Sequence, residues 1–161
     1  MPLSLGSTSW IPSGNGTIRN NDITSVDNGV FIGYCDLAAN ASQPNKAQLF
    51  NPAASGVTVL LDSFWGYLGI APYIGIVRYD VQLTTDVGTG EDINGNGNAS
   101  LAHIREQQSA GHLGSPISYI YDPLSLGTMT YPIAIAEGCG IAFQSEQANY
   151  ALQMTFIWRE I

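Results

Sequence analysis

ALQMTFIWREI, residues 151–161, is the stretch from which the fold can be read. Leu152, Met154, Phe156 and Trp158 alternate with Gln153, Thr155 and Arg159. Successive side chains of a strand point to opposite sides, so this period of two separates an apolar face from a polar one. An amphipathic helix mixes three- and four-residue spacings, which strict alternation does not supply. The segment therefore reads as a half-buried strand. VRYDVQLTTDV, residues 77–87, repeats the pattern, with Val77, Tyr79, Val81, Leu83 and Val87 set against Arg78, Asp80, Gln82, Thr84 and Asp86. It predicts a second antiparallel strand with one wet side.

Between these two stretches and before them, short apolar runs alternate with turn residues. Val30 to Leu37 is rich in strand formers, and Ala38 to Asn45 is a loop closed by Pro44. Gln48 to Phe50 leads into Asn51-Pro52-Ala53-Ala54-Ser55-Gly56, after which Val57 to Trp65 is a continuous apolar strand. In that turn Asn51 caps, Pro52 fixes φ and Gly56 lets the chain reverse, which predicts a hairpin. Ile117 to Tyr121 is a further short strand, and Ile133/Ile135 and Ile141/Phe143 flank a tight turn at Glu137-Gly138-Cys139-Gly140. Leu101 to Gln108 is the one segment with helical character, enough for one or two turns. Many short strands punctuated by Gly, Pro and Asn predict an all-β protein. The expected architecture is a single jelly-roll-like antiparallel β-sandwich over residues 29–161.

Residues 1–28 differ from the rest. They are rich in Ser, Gly and Asn, and their apolar positions follow neither period. Such a segment cannot bury itself and is expected to be an extended arm that orders against a partner, with Leu3, Leu5, Trp10 and Ile11 as its anchors. The arm lacks the basic start and apolar core of a signal peptide, so synthesis in a cytosol without export is expected.

Composition limits the partners. The 161 residues include 5 Lys and Arg against 13 Asp and Glu, a net charge of −8, with only 11% charged residues overall. One lysine, Lys46, and four scattered arginines make no phosphate footprint, so nucleic acid is excluded, and an anionic membrane surface with it. Few charges beside many β-branched and aromatic residues predict a homo-oligomer that hides surface between copies. Two cysteines far apart, Cys35 and Cys139, are expected to be free thiols.

No motif points to catalysis. No serine has glycines two residues to either side, and His103 and His112 form no metal-ligand spacing. The pairs Gly88/Gly90, Gly95/Gly97 and Gly138/Gly140 never extend to a dinucleotide fingerprint. Asp92-Ile93-Asn94-Gly95-Asn96-Gly97 matches the first half of a calcium loop, but His103 stands where a bidentate Glu would close it. A turn-forming surface loop explains the same residues. No catalytic residue, cofactor or metal is expected. The aromatics Trp10, Trp65, Tyr67, Tyr73, Tyr119 and Tyr121 suit either core and subunit contact or a carbohydrate platform.

The stretch Gln48-Leu49-Phe50-Asn51-Pro52-Ala53-Ala54-Ser55-Gly56-Val57-Thr58-Val59-Leu60-Leu61 resembles a segment of small structural proteins of tailed-bacteriophage virions. Pro132 to Ile141 and the terminal Trp158-Arg159-Glu160 extend the resemblance over roughly residues 45–161. The resemblance implies a capsid cement, or decoration, protein: a homotrimer on the capsid surface that bridges capsomers of the major capsid protein, assembled in the host cytoplasm. The alternative it implies is a head- or tail-fibre tip module that binds host-surface glycans. A small-molecule-binding β-barrel is the reading left if the resemblance is set aside.

Overall fold

The computed structural model describes residues 29–68, 73–95, 97–120 and 126–161, giving the backbone alone for 126–131. The arm 1–28 and its anchors Leu3, Leu5, Trp10 and Ile11 lie outside the described residues, as do Trp10 and Tyr121 of the aromatic set. Eleven strands follow one another and no helix occurs among the described residues. They are β1 (Val30–Leu37), β2 (Asn45–Asn51), β3 (Val59–Tyr67), β4 (Ile74–Arg78), β5 (Thr85–Thr89) and β6 (Glu91–Asp92). After these come β7 (His103–Gln108), β8 (Ser118–Ile120), β9 (Leu126–Ile135), β10 (Cys139–Ser145) and β11 (Leu152–Glu160). Two antiparallel sheets pack as a β-sandwich, a five-stranded one in the order β6-β1-β11-β3-β9 and a six-stranded one in the order β5-β7-β2-β10-β4-β8.

The pairing is nested. β1 pairs with β11, β2 with β10, β3 with β9 and β4 with β8, so β1–β4 run antiparallel to β8–β11 in reverse order. The alternation of β11 does what its pattern requires: Leu152, Met154, Phe156 and Trp158 are buried between the sheets, and Gln153, Thr155 and Ile157 face outward. Phe143 of the six-stranded sheet meets Phe64 and Phe156 of the other, with ring centroids 4.7 and 5.4 Å apart. These rings join the layers at the centre of the core.

Three expectations are corrected. Leu101 to Gln108 is not helical; its larger part is β7, paired with β2 on one side and β5 on the other. Two flanking ladders supply more backbone hydrogen bonds than an isolated helical turn could. The turn at 51–56 is not a hairpin, because β2 and β3 belong to different sheets. Its local chemistry is as expected, with Ala54 and Gly56 at φ 61° and 78°. The buried Asn51 side chain then directs it across the sandwich, donating to the carbonyls of Val57 (2.8 Å) and Ile135 (3.0 Å). Third, 77–87 is not one strand.

In that third case β4 ends at Arg78 and β5 begins at Thr85, on opposite flanks of the same sheet. The residues between them must cross β10, β2 and β7, and each of those strands supplies a partner. Tyr79 N donates to Gly140 O of β10 at 2.9 Å. Gln48 of β2 donates through Nε2 to Tyr79 O (2.7 Å) and Val81 O (3.1 Å), and its Oε1 accepts from Leu83 N at 3.0 Å. Arg105 of β7 donates to Leu83 O at 3.4 Å. Gly140 is needed beneath the crossing, since a Cβ there would meet Gln48 Nε2 at 2.6 Å and Tyr79 O at 2.9 Å. Val77 and Leu83 are buried as the alternation implies, whereas Val81 and Val87 are exposed.

A second crossing returns from β7 to β8 over the same outer face. Lys46 of β2 holds it by donating to Ser109 Oγ (2.7 Å), and Gln144 of β10 by accepting from Leu113 N (2.9 Å). Lys46 is thus buried, and the loss of hydration lowers its ammonium below the ordinary lysine value. Every residue of β2 is buried for this reason. The outer face of the six-stranded sheet is sealed by its own chain.

Candidate functional site

The outer face of the five-stranded sheet is different. Strand register places Tyr34, Thr155 and Trp65 side by side on β1, β11 and β3, and Asp36, Gln153 and Tyr67 in the next row. Period-two alternation turns all six away from the core. Tyr34 is 70% exposed, Trp65 39% and Tyr67 42%. The sequence left Trp65 and Tyr67 open between core and surface; both are on the surface. Tyr34, which no pattern singled out, joins them because β11 lies between β1 and β3. Toward its other end this face is closed by Arg159, buried in a two-point ion pair with Asp62 at 2.7 and 3.0 Å.

A groove of about 670 Å³ runs across this face. Its lining spans four adjacent strands, from Glu91 of β6 through Ile32 to Asp36 of β1 and Thr155 of β11 to Trp65 of β3. Where β6 stops, the edge of β1 is bounded by Val87, Gly88 and Thr89 of β5 and by Ile104 and Glu106 of β7. Gly33 allows this approach, since a Cβ there would meet Ile104 Cδ1 at 2.1 Å. The groove carries three carboxylates, Asp36, Glu91 and Glu106, and no basic side chain. Partial burial, with the nearby Asp36 charge, raises the Glu106 carboxyl above its ordinary value.

Cys35 opens onto the same groove but is not a nucleophile. Burial first, then the Glu106 carboxylate, push its thiol up to about 12, with Asp36 adding to this and a backbone hydrogen bond to Met154 opposing it. A thiol so shifted holds roughly one part in ten thousand thiolate at pH 8. Both cysteines are free; Cys139 is half-buried and accepts a weak contact from Arg78 at 3.7 Å. Iodoacetamide at pH 8 is therefore expected to label Cys139 of the folded protein and to reach Cys35 only after denaturation, as read by peptide mass spectrometry. Equal labelling of both in the folded state would contradict this assignment.

The remaining polar groups serve local structure. His103 Nδ1 lies 2.8 Å from Asp86, which also takes Arg105 at 3.2 Å, and His112 lies 2.9 Å from Glu146. The two histidines do not share a site. Among the described residues no three His, Cys, Asp or Glu side chains converge as metal ligands. In the calcium-like segment, Asp92 accepts from the backbone of Asn94 (2.9 Å) and Asn98 (3.1 Å), which is the work of a turn-forming Asp; Asn96 lies outside the described residues. No protein-family model, curated protein or solved structure matches this chain.

Proposed function

We propose that this chain is a structural component of a tailed-phage virion, a capsid cement protein that acts as a homotrimer and bridges subunits of the major capsid protein. The resemblance of residues 45–161 supports the virion assignment. The nested pairing of β1–β4 with β8–β11 supports reading the sandwich as a jelly roll. The observation that carries the oligomer is β8. It is the last strand of the six-stranded sheet, with no strand on its outer side among the described residues. Ile117 beside it is 63% exposed and Tyr119 within it 36%. An exposed apolar edge strand is a liability in a lone domain, and covering it with a neighbouring copy removes the liability. Copies meeting heterologously along such an edge close into a ring where the rotation between them closes, as a threefold does.

Light scattering on the intact chain tests the assembly. A mass about three times the 17.2 kDa of one chain is expected, and Ile117→Glu should reduce it to one chain without unfolding. A wild-type monomer at micromolar concentration would overturn the trimer. Adding the protein to particles that lack it tests the cement role. Wild type should decorate them, whereas a chain without residues 1–28 should remain a folded trimer and fail to bind. Decoration by that truncated chain would move the contact from the arm to the sandwich.

A further inference from the structure

The open face of the five-stranded sheet has a chemistry of its own, separate from the β8 edge, which belongs to the other sheet. Tyr34 and Trp65 stand two strands apart, about 10 Å at the usual strand spacing, and Tyr67 lies one pleat repeat, about 7 Å, further along β3. Between and beside the rings stand Thr155, Gln153 and Asp36: a hydroxyl, an amide and a carboxylate. No hydrogen bond within the chain engages these three side chains among the described residues. A rigid, regular sheet backbone holds all six positions, so a ligand need not order a loop to find them.

Aromatic faces alternating with small hydrogen-bonding groups are complementary to one kind of molecule. A pyranose with equatorial substituents has an apolar C–H face that lies flat on a ring and a rim of hydroxyls that need donors and acceptors. We propose that this groove binds a neutral oligosaccharide of such units, of the glucose or N-acetylglucosamine type. The first and third units rest on Tyr34 and Trp65, since that spacing matches a disaccharide repeat; hydroxyls are taken by Asp36 and Thr155 in the groove and by Gln153 in the adjoining row. The charge of the groove selects against acidic sugars. Asp36, Glu91 and Glu106 line it without a compensating Lys or Arg, so a carboxylate-bearing saccharide meets like charge. The four basic side chains among the described residues are engaged elsewhere: Lys46 with Ser109, Arg78 with Asp80, Arg105 with Asp86 and Arg159 with Asp62. The groove spans four strands, which is room for two or three sugar units rather than one.

Titration of the intact chain with cellotriose, tri-N-acetylchitotriose and the anionic 3′-sialyllactose, followed by calorimetry and tryptophan fluorescence, decides the matter. At least one neutral trisaccharide is expected to bind, and sialyllactose at least about tenfold more weakly. Trp65→Ala and, separately, Tyr34→Ala should each weaken binding by about tenfold or more, the loss of one stacked ring. Both residues are on the surface, so unchanged circular dichroism should accompany the loss. Ile117→Glu should leave saccharide affinity unchanged, which keeps failure here distinct from failure of the trimer. Absence of binding by both neutral sugars, survival of binding in both ring variants, or a preference for sialyllactose would each overturn the proposal. So would conversion of the oligomer to monomer by Trp65→Ala, which would make this face a contact between copies.

Discussion

Replacing Glu160 by alanine is expected to cost on the order of 4 kcal/mol of stability. Glu160 is buried, and its carboxylate is the meeting point of four donors. Ser100 Oγ donates at 2.7 Å, Leu101 N and Ala102 N at 3.0 Å, and the Trp158 indole at 3.2 Å. The alanine variant leaves these donors facing a cavity, and each buried donor without an acceptor costs about 1–3 kcal/mol. The costs do not add fully, because residues 100–102 can swing toward water once released. For a domain of this size the loss lowers Tm by roughly 10–15 °C. Calorimetry at pH 7 measures it; a shift under about 3 °C would show that water replaces the carboxylate without penalty.

Gln48→Ala is expected to be nearly as damaging. Three backbone groups of the crossing segment, Tyr79 O, Val81 O and Leu83 N, use the Gln48 amide as their partner. Removing it costs on the order of 3 kcal/mol and frees residues 79–83 from the sheet they cover. Hydrogen exchange adds a readout that a general loss of stability would not produce. Protection of the Leu83 amide should fall by more than that of the β11 amides. Gln48→Glu keeps one acceptor for Leu83 N but sets a carboxylate against two carbonyls, so it should not rescue. Rescue by that variant would assign the role to Gln48 Oε1 alone.

These two residues mark where the sequence stopped being legible. The faces of β11 and the all-β class follow from neighbours a few residues apart, and they are as read; at 51–56 the reversal at Gly56 is as read but the hairpin is not. The strand of residues 77–87 was misread because alternation records burial, not pairing. Val77 is buried within β4 and Leu83 within the crossing segment, and a side chain of β2 does for 79–83 what a ladder would have done. Leu101 to Gln108 carries Leu101 and Ile104 at a helical spacing, and only the long-range pairing of β7 with β2 and β5 makes it a strand. The groove was legible in parts. Trp65 and Tyr67 stood among the aromatics worth weighing, and Gln153 and Thr155 on the outward side of β11. Tyr34 and Asp36 could join them only through the register of three strands drawn from both ends of the chain.

The nested pairing also governs how the molecule comes into being. β11 fills the slot between β1 and β3, yet it is synthesised well after both of them. At ordinary synthesis rates the nascent chain waits on the order of ten seconds between completing β3 and completing β11. Throughout that time two apolar strands flank an empty position with their ladder groups unpaired. The sheet is therefore closed only once β11 has been made, by a search over the more than one hundred residues that separate it from β1. Such non-local closure places folding on the slow side, in the range of about milliseconds to seconds once β11 is available. Until then the unfilled slot is the feature of the polypeptide most open to chaperones and to other nascent copies.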